Sequence, residues 1–216
     1  MSRIPLSGLP TYFFADLAAG KEARSRTRTA RQTILGVAMD DLSRYFVIHS
    51  WAGRETASTF QEKILSAYEL YQPKLFGLEA NGMQVLFGAQ VRDEGKKRFG
   101  KYTRFIPIYQ PTKVDKNYRI RTGLQPVLNF GRLFLREQDV ELQVEIRGFP
   151  TAQTKDLIDS LETVISRVCP KTPEKVAQSD SLREYSAYLR NSGCPPHLIR
   201  DKVRQFQLEN GISPLD

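Results

Sequence analysis

Apolar residues gather in three short runs near the N-terminus, at residues 12–18, 33–39 and 44–51. Each run is rich in the aromatic and β-branched residues that strands favour. Turn-forming residues, Asp40 and Asp41, separate the second run from the third. Strands this close in sequence pair antiparallel, because a parallel neighbour needs a longer crossover. The pattern therefore predicts a sheet that begins with three antiparallel strands.

The pattern then changes to helical spacing. Apolar residues from Phe60 to Tyr71 recur at helical intervals, and Ser58 with Gln61 matches a capping box at the start of this helix. Residues 74–80 form the next apolar run, so they predict a strand parallel to its neighbour. The remaining pattern predicts a helix, an edge strand that contains a proline, a helix, a short extended piece and two more helices, at residues 83–92, 104–109, 117–128, 132–135, 139–146 and 154–168.

This order of elements is typical of a ribonuclease H-like α/β fold. We expect a mixed sheet of three antiparallel strands followed by parallel strands, flanked by helices, within residues 1–169. Prolines break the chain at the end of this domain. Residues 170–216 then form a short helical C-terminal tail, with amphipathic segments at 181–190 and 197–208. A tail this short does not fold alone, so it packs back on the domain or docks on a partner.

Four carboxylates stand at informative places in this order. Asp16 lies near the end of the first strand, Glu79 ends the predicted parallel strand, and Asp156 and Asp159 open the last helix. A carboxylate inside an apolar run needs a compensating cation or hydrogen bonds. Each residue also has a structural interpretation: Asp16 as a turn cap, Glu79 as the partner of a surface lysine, and the two helix residues as favourable charges at a helix N-terminus.

A metal site explains all four residues together. Two-metal phosphoryl chemistry needs carboxylates from separate elements that converge on a pair of ions. Magnesium or manganese suits such a set, since Mg²⁺ accepts a few carboxylates and keeps waters for the substrate to displace. We predict that Asp16 bridges two ions, that Glu79 and Asp156 each hold one side, and that Asp159 supports them.

The charge distribution favours a polyanionic partner. The chain has 32 Lys and Arg residues against 24 Asp and Glu residues, a net charge of +8. Three basic clusters contain the candidate DNA-binding residues, although an ordinary solvated surface would also explain each of them. The candidates are Arg24, Arg26, Arg28, Lys96, Lys97, Lys101, Lys113 and Arg119. The first three alternate with other residues, so in an extended chain they would share one face.

Several other classes of protein are disfavoured. Two cysteines and two histidines, none of them in a metal-ligand pair, give no disulfide framework, zinc site or serine-histidine triad. No run is long and apolar enough to cross a membrane, and the N-terminus lacks the apolar core of a signal peptide, so we expect a cytoplasmic protein. Gly20 and Lys21 are followed by Glu22 instead of a hydroxyl residue, so there is no ATPase phosphate loop here.

Four short motifs carry a resemblance to a known family. They are residues 14–18 (FADLA), 78–82 (LEANG), 116–120 (KNYRI) and 149–150 (FP) followed by 155–161 (KDLIDSL). Their order resembles that of the nuclease domain of bacteriophage large terminases, over roughly residues 11–168. The chain departs from the family pattern at Lys155, where the family often has an aspartate, and no carboxylate is offered at residues 24–31. Each departure removes a potential ligand of the second ion.

The resemblance implies a magnesium- or manganese-dependent endonuclease that cuts concatemeric viral DNA during genome packaging. It implies Asp16, Glu79, Asp156 and Lys116 as catalytic residues, with Lys116 and Arg119 on the substrate side. The implied partners are double-stranded DNA, an ATPase motor domain or subunit, the small terminase and the portal. Two alternatives are a Holliday-junction-type resolvase on the same fold, and a catalytically degenerate module that binds DNA or docks on portal or capsid partners.

Overall fold

The computed structural model describes residues 6–17, 31–82, 84–100, 103–111 and 113–170, and Val203 beyond them. The chain divides into two compact units, Met1–Pro170 and Lys171–Asp216. Apart from Val203, the predicted tail helices at 181–190 and 197–208 lie outside the described residues. None of the helices in the described part of the chain is long and apolar enough to span a bilayer.

One six-stranded sheet forms the centre of the first unit, and its order is β5-β4-β1-β2-β3-β6. The strands are β1 (Thr11–Asp16), β2 (Gln32–Met39), β3 (Tyr45–Gly53), β4 (Leu75–Glu79), β5 (Phe105–Ile108) and β6 (Leu133–Phe134). The first three pair antiparallel, while β4 runs parallel to β1 and β5 runs parallel to β4. The predicted mixed sheet is confirmed, and Pro107 lies in the edge strand, where one side of the strand needs no partner.

Within residues 6–170, as far as the structure describes them, five helices flank the sheet: α1 (Ala57–Tyr71), α2 (Gln84–Phe99), α3 (Lys116–Asn129), α4 (Val140–Gly148) and α5 (Asp156–Thr163). A π-helical turn, Val164–Val168, continues α5. The predicted capping box at Ser58 and Gln61 is wrong, because Thr56 is the N-cap and its hydroxyl accepts the Thr59 N–H at 3.2 Å. The end predicted for α2, at residue 92, is also wrong: its last turn carries Lys96, Lys97 and Arg98, and cations there are favourable to the helix dipole.

A separate apolar core packs against each of the two faces of the sheet. Phe13 on β1 packs with the buried residues of α1 and α2, whereas its neighbour Phe14 packs with those of α3, α4 and α5. This alternation follows from the two-residue period of a strand. The ring of Phe13 is fully buried and lies over Gly36 of β2, where a Cβ atom would stand 2.3 Å from the ring. Each face of β1 is thereby fixed against its own layer of helices.

Two features bring the candidate acidic residues to one edge of this sheet. Because β1 and β4 are parallel neighbours, their last residues, Asp16 and Glu79, emerge at the same end. On one face, α5 is joined to β2 by a buried contact of 2.6 Å between the hydroxyl oxygens of Thr33 and Ser160. The first turn of α5, with Asp156 and Asp159, is anchored next to the sheet in this way.

Candidate functional site

The side chains of Asp16 and Glu79 lie together at the ends of β1 and β4. Gln84, the first residue of α2, donates its side-chain N–H₂ group to both, at 3.3 Å from Asp16 Oδ1 and 3.1 Å from Glu79 Oε2. A single amide therefore spans the two carboxylates. At the start of α2 the Gln84 N–H donates to the backbone oxygen of Asn81 at 3.2 Å, and Gly82, which follows Asn81, has a φ of 57°.

Burial and the closeness of Asp16 change the protonation of Glu79. Burial, then the hydrogen bond to Asp16 and the negative charges of Asp16 and Asp159, raise the pKa of Glu79 from 4.5 to about 9. At neutral pH the metal-free chain therefore keeps a proton on Glu79 and shares it with Asp16. A divalent cation between the two oxygens would take the place of that proton.

The amide groups of Asn81 and Gln110 form a network next to the second carboxylate oxygen of Glu79, Oε1. Asn81 Nδ2 lies 3.5 Å from Glu79 Oε1 and 3.3 Å from the backbone oxygen of Gln110, while Asn81 Oδ1 accepts the Gln110 N–H at 3.2 Å. Gln110 in turn donates from Nε2 to the hydroxyl of Thr163 at 2.6 Å. Its Oε1 is the one buried side-chain nitrogen or oxygen atom among the described residues without a hydrogen-bond partner. This edge of the sheet therefore offers an unused acceptor for water or for a hydrated ion.

Basic residues of α3 hold Asp159. Lys116 Nζ lies 3.0 Å from Asp159 Oδ2, and the guanidinium of Arg119 donates to Asp159 Oδ1 and to buried Glu162. Burial alone would lower the pKa of Lys116, but the charges of Asp159, Asp156 and Asp16 raise it. The ammonium group of Lys116 thus lies among the carboxylates, with its side chain 45% exposed, whereas that of Arg119 is only 10% exposed.

Asp156 faces a different cation. Its Oδ2 accepts from Arg31 Nε at 3.2 Å, on the side of α5 that packs against α4. The negative charge of Asp159 acts on Glu79, and the charges of both Asp156 and Asp159 act on Lys116. Within the described part of the chain, no three acidic, histidine or cysteine side chains are arranged to hold one ion. In the structure Gln84 therefore connects Asp16 with Glu79, Asp159 lies close enough for its charge to act on Glu79, and Asp156 contacts Arg31.

The other basic candidates lie in several places. Lys96 and Lys97 occupy the last turn of α2 and pair with Asp93 at 3.6 Å and Glu94 at 3.3 Å. Because they follow Gln84 by at least 12 residues, they lie about 18 Å along the helix from the carboxylates. Lys113 is exposed in the loop before α3. Arg24, Arg26, Arg28 and Lys101 lie outside the described residues.

The paired carboxylates fit one divalent ion. Both carboxylates would bind an ion through oxygen atoms. Mg²⁺ is usually bound through one or two carboxylates while it keeps several waters. Two acids that already share a proton are a preformed pair of ligands once that proton leaves. Asp16 and Glu79 would hold the ion, and the amides of Asn81 and Gln84 would orient the two carboxylates.

No protein-family model matches the sequence, and no curated protein sequence matches it. The following three are among the solved structures that are similar to this chain. The large terminase nuclease from thermophilic phage G20c is 13% identical, with a TM-score of 0.49 over 75% of this chain and 84% of its own. The nuclease domain of the large terminase subunit of bacterial virus Sf6, with manganese and beta-thujaplicinol, is 11% identical, with a TM-score of 0.46 over 75% and 89%. T. thermophilus RuvC in complex with a Holliday junction substrate is 11% identical, with a TM-score of 0.40 over 73% and 91%.

At these identities the likenesses concern the fold alone, and with TM-scores below 0.5 they assign no activity. The strand order and directions of this chain are ribonuclease H-like, as predicted. The similar structures include both nuclease domains of large terminases and RuvC.

Proposed function

We propose that this chain is a metal-dependent DNA endonuclease that hydrolyses phosphodiester bonds. The observation that carries the proposal is the Asp16–Glu79 pair, in which two acids from adjacent parallel strands share one amide donor. A sequence that gathers like charges at one point gives up stability there, and perturbed carboxylates of this kind concentrate at functional sites. The net charge of +8 agrees with a polyanionic substrate.

Each residue of the site has a distinct task in this reaction. Asp16 and Glu79 hold the ion, and Asn81 and Gln84 fix the orientation of their carboxylates. A bound magnesium or manganese ion supplies the means to activate the attacking water and to stabilise the leaving oxygen. Lys116, half exposed and held by Asp159, presents its ammonium group to a phosphate oxygen on which charge develops. Arg119 is a positioning residue, since its guanidinium group forms an ion pair with Asp159.

The specific role that we propose is the nuclease of a phage large terminase, which cuts concatemeric DNA during packaging. The order of the motifs at residues 14–18, 78–82, 116–120 and 149–161 supports this role. The proposed partners are double-stranded DNA, an ATPase motor domain or subunit, the small terminase and the portal. Lys113 and Lys116 would contact the DNA backbone next to the carboxylates, since both are exposed at the start of α3.

The test is cleavage of supercoiled plasmid by the full chain, with Mn²⁺, with Mg²⁺ and with EDTA. We expect Asp16→Asn to reduce cleavage to the level of the EDTA sample, while DNA binding and the circular dichroism spectrum stay as in the wild type. Asp93→Asn, at an exposed position of α2 remote from the site, is the matched control and should cleave normally. Cleavage retained by Asp16→Asn would refute the metal-dependent mechanism.

The substrate distinguishes the terminase role from its rivals. A terminase nuclease cuts linear duplex and plasmid DNA at least as well as a four-way junction. Strong preference for the junction would instead identify a resolvase on the same fold. DNA binding without cleavage under either ion would identify a degenerate binding module.

A further inference from the structure

Arg31, the residue immediately before β2, binds three carboxylates at once. Its Nε lies 3.2 Å from Asp156 Oδ2, one Nη lies 2.8 Å from Glu145 Oε1, and the other lies 3.2 Å from Glu141 Oε2. The Arg31 side chain is 13% exposed and that of Asp156 is 18% exposed. A guanidinium group therefore occupies Asp156 Oδ2, and an ion would have to compete with it for this oxygen.

Glu145 keeps Arg31 in this position. The Glu145 side chain is only 2% exposed, so its charge needs the guanidinium as a partner. Its second oxygen, Oε2, accepts the backbone N–H of Ile158 at 2.9 Å. The residue before α5, Lys155, makes no side-chain capping bond, so Glu145 supplies from α4 the cap that the helix itself lacks. Arg31 is thus tied, through Glu145, to the first turn of the helix that carries Asp156.

The two α5 carboxylates consequently differ in how an ion could reach them. Arg119, whose side chain is 10% exposed, holds Asp159 Oδ1, but Asp159 Oδ2 is held by Lys116, whose flexible side chain is 45% exposed and can move into solvent. Asp156 is held by a buried, planar guanidinium with two further partners. Displacing that group would leave Glu145 buried and unpaired, which is strongly unfavourable.

We propose that the guanidinium group of Arg31 takes the place of a second metal ion next to Asp156. The folded chain then binds one divalent ion, at Asp16 and Glu79, and Asp156 is not a metal ligand. This inference rests on the proposed function only in that it assumes a divalent-ion site at Asp16 and Glu79. It does not depend on cleavage. Arg31 is a positioning residue in this scheme: it holds Asp156 and α5 in place and excludes a second ion.

The test is Mn²⁺ binding to the full chain, measured by isothermal titration calorimetry without DNA. We expect about one ion per chain for the wild type and for Asp156→Asn, with affinities that agree within about threefold. Asp16→Asn should lose this binding by roughly 10–100-fold or more, the range in which even outer groups of a metal site act. Arg31→Gln should gain a second ion, and adding Asp156→Asn to Arg31→Gln should remove it.

Several results would overturn the inference. They are the absence of Mn²⁺ binding by the wild type, two ions per wild-type chain, or a loss of more than about tenfold in affinity on Asp156→Asn alone. If Arg31→Gln does not fold, the comparison of the wild type with Asp156→Asn still decides the question. A chain that binds one ion as described but cleaves no DNA would leave this inference standing and refute the proposed nuclease function.

Discussion

Replacing Glu79 by glutamine should stabilise the metal-free chain, and the gain should grow with pH. The pKa of Glu79 is about 9 in the folded chain, against an ordinary value of 4.5. Between these two values the folded chain binds a proton that the unfolded chain has lost. The stability associated with this proton is therefore complete below about pH 4.5 and falls as the pH rises towards 9.

The size of the effect follows from the same two values. Each pH unit between them is equivalent to about 1.4 kcal/mol, so raising the pH from 4.5 to 7 lowers the free energy of unfolding by about 3 kcal/mol. Glutamine has the shape of the protonated acid, can donate to Asp16 from its amide, and cannot ionise. In EDTA at pH 7 we therefore expect Glu79→Gln to exceed the wild type by about 3 kcal/mol, and at pH 4.5 we expect no difference.

Urea unfolding in EDTA at several pH values from 4.5 to 8 measures this difference directly. Glu69→Gln, on the exposed face of α1, controls for the removal of a carboxylate outside the site. Saturating Mn²⁺ should reverse the order, since an ion at 1,000 times its Kd stabilises the wild type by about 4.1 kcal/mol and the variant has lost a ligand. A difference in EDTA that does not change with pH, or a variant less stable than the wild type at pH 7, would refute the assignment of a shared proton.

Two further predictions concern the core. Burial and the charge of Arg136 lower the pKa of His49, although the charge of Asp139 opposes this. The free energy of unfolding should therefore fall as the pH drops below about 6.5, because the unfolded chain then takes up a proton that the folded chain does not. His49→Phe should show a smaller loss in urea unfolding from pH 7 to pH 5. Gly36→Ala should lower the free energy of unfolding by about 1–3 kcal/mol, because its Cβ atom would meet the Phe13 ring at 2.3 Å. Gly88→Ala on α2, with its nearest neighbour at 3.5 Å, is the matched control and should not be destabilised.

The sequence predicted those parts of the site that follow from strand order. Asp16 and Glu79 end two apolar runs separated by one helix. A crossover of this kind makes the two strands parallel, and the ends of parallel neighbours meet at one edge of a sheet. No further information was needed to bring these two side chains together.

The surroundings of α5 could not be predicted in the same way. Residues three apart on a helix, such as Asp156 and Asp159, point only about 60° apart, so small rotations decide which cation each one meets. Arg31 precedes Asp156 by 125 residues, and no local pattern links the two. Gln84, Glu145 and Glu162 were missed for the same reason, since each acts through a contact with a distant element. Only Gln84 carried a signal, as the first helical residue after the motif at 78–82.

Charge neutralisation explains where an ion would enter this site. Without metal, Glu79 is neutralised by a proton, Asp159 by Lys116 and Arg119, and Asp156 by Arg31. Removing the Glu79 proton at pH 8 costs about 1.4 kcal/mol, one unit below its pKa of about 9. Removing Arg31 from buried Glu145 costs about 3–5 kcal/mol, as breaking a buried ion pair usually does. Displacing the proton of Glu79 requires less free energy than displacing Arg31. The ion should therefore bind at the ends of β1 and β4, and not at the first turn of α5.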